Sequence, residues 1–302
     1  MRALLLFNPN ATTTDEQVRD EIEASLRSAV ELTVQPTKQR GHATHLVAGA
    51  VHEQMDVVFA LGGDGTANEV IQALAGTSVA LGIIPGGGAN VFARALGLPN
   101  DARRATDVLL EALRTGRSRS IGLGRAGQRY FGFNAGFGFD AAVIRHTEQH
   151  PRAKRWLRQG AFLWAVGREW SVGAGREQPS TIVTLPDGST RGPLAISMVA
   201  NADPYTYLGP KPMRVHPRAG FDTGLDLLSI ARLTTTRLLS VAAGTFRDGR
   251  HLDLDAVGYD HDLSGFTLSS PRPQPVMVDG DYAGERSEVT FRAVPNALRV
   301  LG

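Results

Sequence analysis

The residues of this chain best suited to chemistry are 61–70, Leu-Gly-Gly-Asp-Gly-Thr-Ala-Asn-Glu-Val. They follow the apolar run 57–60, and the residues after the glycines favour a helix, so the pattern predicts a strand, a tight turn and a helix. Glycines let backbone N–H groups approach a phosphate, and the positive end of the helix dipole points at the same place. With the carboxylate of Asp64, such a turn suits a nucleotide phosphate and a divalent metal. The alternative is an ordinary glycine turn.

The surrounding elements predict where this turn lies. Short apolar runs alternate with longer amphipathic stretches, which favours a parallel sheet with ligand loops at the carboxyl ends of its strands. The predicted strands are 3–7, 32–35, 57–60 and 79–84, and the predicted helices are 15–28, 42–52, 67–75 and 102–115. Asn8-Pro9, 62–68 and 85–90 each follow such a strand. We therefore predict a Rossmann-like α/β nucleotide domain over residues 1–121.

From residue 122 the pattern changes to short strands separated by turn clusters, which predicts a second, mainly antiparallel β domain over 122–292. The last residues, 293–302, are expected to return to the first domain. A length of 302 residues fits two domains.

Composition excludes several classes of function. A net charge of +2 gives no global footprint for nucleic acid, so no nucleic-acid partner is expected. Cysteine is absent, which excludes disulfides, thiolate catalysis and Cys-ligated metal sites. No apolar run approaches the roughly 20 residues of a membrane span. We expect a cytoplasmic protein that meets a membrane only peripherally.

The glycine turn, read with the Asn68-Glu69-Val70 that follows, resembles the signature of the diacylglycerol kinase catalytic domain, which bacterial lipid kinases share with sphingosine and ceramide kinases. Further matches occur in the family's order and cover nearly the whole chain: Asn8-Pro9, 37–43, 85–94, 134–140, 221–226 and 278–281. NAD kinases carry a related Gly-Gly-Asp-Gly-Thr.

The resemblance implies a lipid kinase of phospholipid metabolism that transfers the γ-phosphate of ATP, with Mg²⁺, to the hydroxyl of a lipid alcohol such as diacylglycerol. The implied partners are ATP, a lipid substrate and a membrane surface, and a homodimer is allowed. Two alternatives stay open: a soluble-substrate kinase of the NAD kinase type, and a nucleotide-binding regulator without turnover. The second is favoured by Gly88 and Val91, which stand where the family carries a threonine and an aspartate.

The same resemblance implies the site residues. Those expected to bind the nucleotide are Asn8, Pro9, Thr37, Gly62, Gly63, Asp64, Gly65, Thr66, Asn68, Glu69, Gly87, Gly88 and Asn90. Asp222 and the carbonyls of Leu225 and Leu227 are expected to hold a structural magnesium ion, although a plain turn at 222–224 is the alternative.

Asp64, Asp279 and Asp281 are the expected catalytic residues. Asp279 and Asp281 lie two apart on a strand-like segment, so they are expected to share a face. One would accept the proton of the substrate hydroxyl, and Asp279 is favoured because Asp281 replaces the family's glutamate.

A basic and aromatic stretch between residues 146 and 176 contains Arg155, Arg158, Trp156 and Trp170. Its helical spacing predicts either an interfacial helix suited to a lipid substrate or a helix that packs its tryptophan stripe on the β domain.

Overall fold

The computed structural model describes residues 1–9, 15–149, 179–232, 234–247 and 249–302, and for 147–149 only the backbone. Trp156 and Trp170, with the rest of the basic stretch from residue 150 onward, lie outside the described residues. The chain divides into two compact units, Met1–Leu123 with Pro295–Gly302 (unit 1) and Gly124–Val294 (unit 2).

Unit 1 is a parallel sheet with helices between its strands. Its strands are β1 (Arg2–Phe7), β2 (Glu31–Pro36), β3 (Val57–Gly62) and β4 (Ala80–Pro85), and its helices are α1 (Glu16–Arg27), α2 (His42–His52), α3 (Asp64–Leu74), α4 (Val91–Ala95) and α5 (Ala102–Thr115). The strand order is β4-β3-β1-β2 with every pair parallel. All residues of β3 and β4 are buried, as expected for central strands covered on both faces.

Unit 2 is built mainly from antiparallel strands. Its elements are β5 (Ser118–Ala126), β6 (Arg129–Phe131), β7 (Asn134–Phe137), α6 (Phe139–Gln149), β8 (Thr181–Thr184), β9 (Thr190–Leu194), β10 (Ile196–Ala200), β11 (Thr206–Leu208), β12 (Lys211–Met213), β13 (Leu225–Ile230), α7 (Thr235–Thr245), a short 3-10 helix (Arg250–Asp253), β14 (Val257–Leu263), β15 (Gly265–Val278) and β16 (Asp281–Leu301). β5 begins in unit 1, and β16 ends there, where Val300 pairs with Leu81 in parallel.

The strand order in unit 2 is β14-β13-β10-β7-β15-β16, and all these pairs are antiparallel. Successive residues of a strand point to opposite faces of the sheet, and each face has its own hydrophobic core. Leu227 belongs to a cluster with Phe137 and Phe291, and its neighbour Leu228 belongs to a cluster with Tyr205 and Met277. The predicted fold class, a parallel α/β half and a mainly antiparallel half, is confirmed.

The predicted elements of unit 1 match the observed ones closely, with one functional difference. Helix α3 begins at Asp64 rather than at residue 67, because Gly63 is the N-cap. Asp64 therefore lies in the first turn of the helix, where the positive end of the helix dipole stabilises a carboxylate. Among the described helices, none has both the length and the apolar character needed to cross a membrane.

Candidate functional site

Most of the predicted nucleotide-binding residues of unit 1 lie at one edge of its sheet. The register pairs Phe7 with Pro36 and with Leu61, and Gly62 with Pro85, so all four parallel strands end together. The segments that leave this edge contain Asn8, Pro9, Thr37, Gly62, Gly63, Asp64, Gly65, Thr66, Gly87, Gly88 and Asn90. The carboxyl edge of a parallel sheet is where α/β proteins bind ligands.

Backbone contacts tie the first two segments to this edge. The Asn8 N–H donates to the Leu61 carbonyl at 3.2 Å. The Thr37 amide and hydroxyl both donate to the Phe7 carbonyl, at 2.8 and 3.3 Å. Thr37 and Asn8 are therefore fixed relative to the turn that follows β3.

The two glycine loops pack directly on each other. A Cβ on Gly87 would stand 2.7 Å from the Gly63 Cα, and one on Gly62 would stand 2.6 Å from the Thr66 hydroxyl oxygen. The Gly86 N–H donates to the Gly62 carbonyl at 2.8 Å. Glycine is required at these positions by close approach, which leaves backbone amides unshielded by side chains.

Asn90 shapes the second loop from inside. Its backbone is left-handed, with φ of +48°, and its side chain is only 4% exposed. The side-chain oxygen accepts from the Gly87 N–H at 2.9 Å, while the amide group donates to the Gly87 carbonyl at 2.8 Å and to Asn100 Oδ1 at 2.7 Å. These contacts give Asn90 a structural role, and its contact with a nucleotide stays a prediction.

Asp64 connects the beginnings of two helices. One oxygen of its carboxylate accepts from the Phe92 N–H of α4 at 3.0 Å. Burial raises the pKa of Asp64 above its usual value, while the Phe92 and Val91 amides and the Arg94 charge act in the opposite direction. Val91, next to Phe92, is apolar and 3% exposed. Asp64 is therefore held between the two glycine loops, and its contact with a metal ion stays a prediction.

Two other predicted residues, Asn68 and Glu69, make contacts within unit 1 that concern the packing of α3. The Glu69 carboxylate accepts from the Gly41 and Ala43 amides, at 2.7 and 3.0 Å, and so caps the beginning of α2. Asn68 is 1% exposed on the same helix. Glu69 and Asn68 thus have positions in the packing of α3, and their contact with a nucleotide stays a prediction.

A cavity of unit 1 lies away from these loops. It measures about 520 Å³ at the amino-terminal edge of the sheet and is lined by Asp56, Thr77, Arg117 and Arg299 among others. None of the predicted site residues lines it.

In unit 2, Asp279 and Gly280 form the turn between β15 and β16. Val278 pairs with Asp281 across it, and the turn residues have φ of +49° and +79°, as in a type I′ hairpin turn. The expectation that Asp279 and Asp281 share a strand face is wrong, because Asp279 belongs to the turn and only Asp281 to a strand.

The two aspartates of this turn have different surroundings. Asp279 is 4% exposed, and its carboxylate accepts from the backbone amides of Gly132, Phe133 and Asn134 at 2.7, 3.0 and 3.2 Å. The Asp281 side chain is 22% exposed and lies 3.3 Å from Arg129 Nη2. Asp279 therefore fixes the turn to the start of β7, and Asp281 is the more exposed of the two carboxylates.

The predicted magnesium residues lie at the start of β13. Asp222 is on an exposed turn before this strand, and the pairing with β14 shifts register between Leu225 and Leu227. Among the described residues, no group of three or more His, Asp or Glu side chains could hold a metal ion. A cation at β13 would thus depend on Asp222 and backbone carbonyls, as the prediction has it.

Asp226, between the two leucines, is fully buried. It accepts from the Tyr259 hydroxyl and from the Asp262 N–H at 3.1 Å, and His261 Nδ1 lies 2.7 Å away. Burial and the Asp226 carboxylate raise the pKa of Tyr259 well above its ordinary value. These contacts hold the bulged start of β13 in place.

Asp140, a buried polar residue at the start of α6, is not among the site residues that were predicted from the sequence. Asp140 is 6% exposed; one oxygen accepts from the Ala141 N–H at 2.8 Å, and no donor among the described residues reaches the other. A Cβ on Gly136 would stand 1.9 Å from Asp140 Oδ2, so this glycine makes room for the carboxylate. Burial raises the pKa of Asp140 to about 7.

Asn134 lies on the same face of β7 as Gly136 and donates from its side chain to the Tyr205 carbonyl at 3.0 Å. In the sequence, Asn134 and Asp140 are the two polar residues at the ends of the otherwise apolar and glycine-rich run 134–140, and this pattern is the signal for them.

Comparison with known proteins connects these features to one family. Residues 2–126 match the family of the diacylglycerol kinase catalytic domain. A diacylglycerol kinase of Mycobacterium tuberculosis (strain ATCC 25618 / H37Rv) is 31% identical over 271 residues, which cover 86% of this chain and 81% of that protein.

A diacylglycerol kinase of Staphylococcus aureus (strain MRSA252) is 38% identical over 136 residues, 43% of this chain, and the match spans only 41% of that relative's length. A solved structure from Bacillus anthracis str. Sterne superposes with a TM-score of 0.77 at 20% identity, over 99% of this chain and 94% of that one. At this identity the superposition shows the fold alone. With the mycobacterial relative matched along most of both sequences, the chain belongs to the diacylglycerol kinase catalytic-domain family.

Proposed function

We propose that this protein is an ATP- and Mg²⁺-dependent lipid kinase that phosphorylates the hydroxyl of a lipid alcohol such as diacylglycerol. The observation that carries the proposal is the apposition of Gly63 and Gly87 beside Asp64, at the carboxyl edge of the parallel sheet of unit 1. Relatives that bear the name diacylglycerol kinase support the choice of lipid.

The glycine loops supply binding and charge compensation for phosphates. Amides in the loops after β3 and β4, together with the first turn of α3, present N–H groups to an anion. Phosphoryl transfer depends mainly on positioning and on stabilising the charge of the transferred group, which such amides can provide.

Magnesium would be held at Asp64. Carboxylate oxygen is a donor that Mg²⁺ prefers, and an ion bound with a nucleotide commonly takes only one or two protein carboxylates, with phosphates and water completing its shell. The absence of an acidic cluster among the described residues fits that mode. When bound, the ion would neutralise charge on the phosphates.

We assign the general base to Asp281. A base needs an oxygen that a substrate hydroxyl can reach, and the partly exposed Asp281 offers one, whereas the Asp279 carboxylate is buried on three backbone amides. Asp281 would take the hydroxyl proton as that oxygen bonds to the γ-phosphorus, while the bond to the β-phosphate oxygen breaks and ADP leaves. Because the acceptor is a membrane lipid and ATP is cytoplasmic, the enzyme would act peripherally at the cytoplasmic membrane surface.

The test incubates the purified chain with γ-labelled ATP, Mg²⁺ and separate acceptors: diacylglycerol, a sphingoid base, ceramide and NAD. We expect label in a phospholipid, and sharply less label when Asp64→Asn replaces the wild type, which controls for contaminating kinases. Label in NADP would establish the NAD kinase alternative. ATP binding with no labelled product from any acceptor would establish the regulator without turnover, which the buried, apolar Val91 favours.

A further inference from the structure

Asn201 and Asp279 stand on either side of the beginning of β7. Strands β10 and β15 both pair antiparallel with β7, so both of them end where β7 begins. Asn201 follows the last residue of β10, and Asp279 follows the last residue of β15. The segment that leads into β7, residues 132–134, therefore lies between an amide side chain and a carboxylate.

Two consecutive peptide groups of segment 132–134 connect these residues. In the first group, the Gly132 carbonyl accepts from Asn201 Nδ2 at 2.9 Å. The N–H of that group, which belongs to Phe133, donates to Asp279 Oδ1 at 3.0 Å. In the second group, the Phe133 carbonyl accepts from the Asn201 N–H at 2.8 Å. Its N–H, which belongs to Asn134, donates to the same carboxylate oxygen at 3.2 Å.

Hydrogen bonds arranged in such a row strengthen one another. A donor at the carbonyl of a peptide group polarises the group, so its N–H becomes a better donor. Hydrogen bonds are also stronger where water is excluded, and Asn201 and Asp279 are only 1% and 4% exposed. Asn201 therefore stabilises the Asp279 carboxylate through the two peptide groups.

Further contacts fix the chain around Asn201 to the same segment. The Ala202 N–H donates to the Phe133 carbonyl at 3.3 Å, and Asn134 Nδ2 donates to the Tyr205 carbonyl at 3.0 Å. Residues 201–205 and 132–134 are thus bound to each other at several points. The position of the Asn201 side chain is set by the end of β10 and by these bonds.

The Asp279 carboxylate in turn helps to determine where Asp281 lies. Val278 pairs with Asp281 across the turn, and the Asp279 N–H donates to the Asn134 carbonyl at 2.8 Å. A shift of segment 132–134 would therefore move the turn, and Asp281 with it. A displacement of about 1 Å in a catalytic arrangement can lower a reaction rate about 10²-fold.

We propose that Asn201 is a positioning residue, which holds Asp281 in place through segment 132–134 and the Asp279 carboxylate. The proposal rests on the proposed function, because that function assigns the general base to Asp281. A residue that acts only on the position of the base affects the rate of phosphoryl transfer and leaves the binding of ATP unchanged.

The first test is kinetic and replaces Asn201 with leucine, which has nearly the same shape and no donor. We expect kcat for lipid phosphorylation to fall about tenfold or more, while KM for ATP changes by less than about twofold. Asn201→Ser, a milder change that keeps a hydroxyl donor with a shorter reach, should give a smaller fall. It provides the same measurement if the leucine variant does not fold.

Thr245→Val is the matched control. It also removes one hydrogen bond from a buried side chain of unit 2 to a backbone carbonyl, here that of Ala242 at 2.8 Å. It should lower the melting temperature as the Asn201 variants do and keep the wild-type kcat. An equal fall of kcat in the control would reveal a general effect of lost stability and overturn the proposal. Wild-type kcat in both Asn201 variants would overturn it as well.

A double-mutant cycle shows whether Asn201 acts through Asp281. Asn201→Leu should lower kcat about tenfold when Asp281 is present, and by less than about twofold in the Asp281→Asn background, because the positioned base is then already lost. Equal fold-losses in the two backgrounds would show that Asn201 acts independently of Asp281, and the proposal would be wrong.

Amide hydrogen exchange separates this proposal from the proposed function, because it needs no turnover. The Phe133 and Asn134 amides should exchange about tenfold faster in Asn201→Leu than in wild type or Thr245→Val, since their bonds to Asp279 weaken. Unchanged exchange would overturn the proposal even if kcat fell. A wild type that phosphorylates no acceptor, together with faster exchange in Asn201→Leu, would reject the kinase function and support the link between Asn201 and the turn.

Discussion

Gly63 and Gly87 approach so closely that a Cβ on Gly87 would stand 2.7 Å from the Gly63 Cα. These residues follow the adjacent parallel strands β3 and β4, and their loops pack backbone against backbone. A side chain at Gly63 or Gly87 would push the loops apart and would shield the amides that the proposed function assigns to phosphate. The requirement for glycine is therefore steric and can be tested at single positions.

Gly87→Ala should destabilise the protein by about 1–3 kcal/mol, the usual cost of forcing extra atoms into a packed place, and should weaken ATP binding. Gly88→Ala is the matched control for stability, because a Cβ there meets no atom within 4 Å and its φ is not in the left-handed region. Urea unfolding compares the two variants, and ATP titration compares Gly87→Ala with the wild type. Equal stability of both would show that the loops separate without cost.

Asp279→Asn and Asp281→Asn should have opposite signatures. Asparagine at 279 turns an N–H₂ group toward backbone N–H donors, which should cost about 1–3 kcal/mol of stability. At Asp281, stability should change by less than about 0.5 kcal/mol, while the phosphoryl-transfer rate falls by about 10²–10⁴ with ATP affinity kept. Thermal unfolding, ATP binding and turnover are measured for each. If Asp279→Asn kept full stability and lost only turnover, the assignment of the base would be reversed.

Asp64→Asn should leave the fold intact and reduce transfer sharply. The remaining side-chain oxygen can still accept the Phe92 N–H, so the change removes the charge while it keeps the shape. Asp107→Asn on α5, an exposed position, makes the same change in net charge and should behave as wild type. Steady-state turnover with varied Mg²⁺ distinguishes the variants. Normal turnover of folded Asp64→Asn would remove Asp64 from the mechanism.

Asp140 should make stability fall as pH rises through the weakly acidic range. Its pKa in the folded state is about 7, above the value near 3.9 of an unfolded chain, so between these values only the folded protein holds the proton. The free energy of unfolding then decreases from about pH 4 to pH 7 and levels off above.

Asp140→Asn lacks this titration. Relative to wild type, its free energy of unfolding should rise by about 2–3 kcal/mol between pH 5 and pH 8. Urea unfolding at each pH measures the difference. Burial raises the pKa of Asp203 to about 6, but this group titrates in both proteins, so its contribution cancels in the difference between them. A difference that stays constant with pH, as expected for Asp107→Asn, would contradict the assignment.

The strands and glycine loops of unit 1 could be predicted because their signals are local. Apolar runs ended by glycines predict the strands β3 and β4 and the turns after them, and parallel strands place those turns at one edge. The change of pattern after residue 121 likewise predicted antiparallel strands, since alternation and turn residues are read within a few positions. The start of α3 was missed by three residues because Gly63, rather than a residue after the turn, is its N-cap.

The surroundings of the carboxylates were decided by the tertiary structure alone. The sequence places Asp279 and Asp281 two residues apart, but the amides that bury Asp279 come from 145 to 147 residues away. The Phe92 amide that binds Asp64 lies 28 residues along the chain, and Asp140 is enclosed against Gly136 by the packing of α6 on β7. Residue type and local order determine which groups a chain can offer. Whether a carboxylate is buried, hydrogen-bonded or open to a substrate depends on contacts between distant segments, and these exist only in the folded protein.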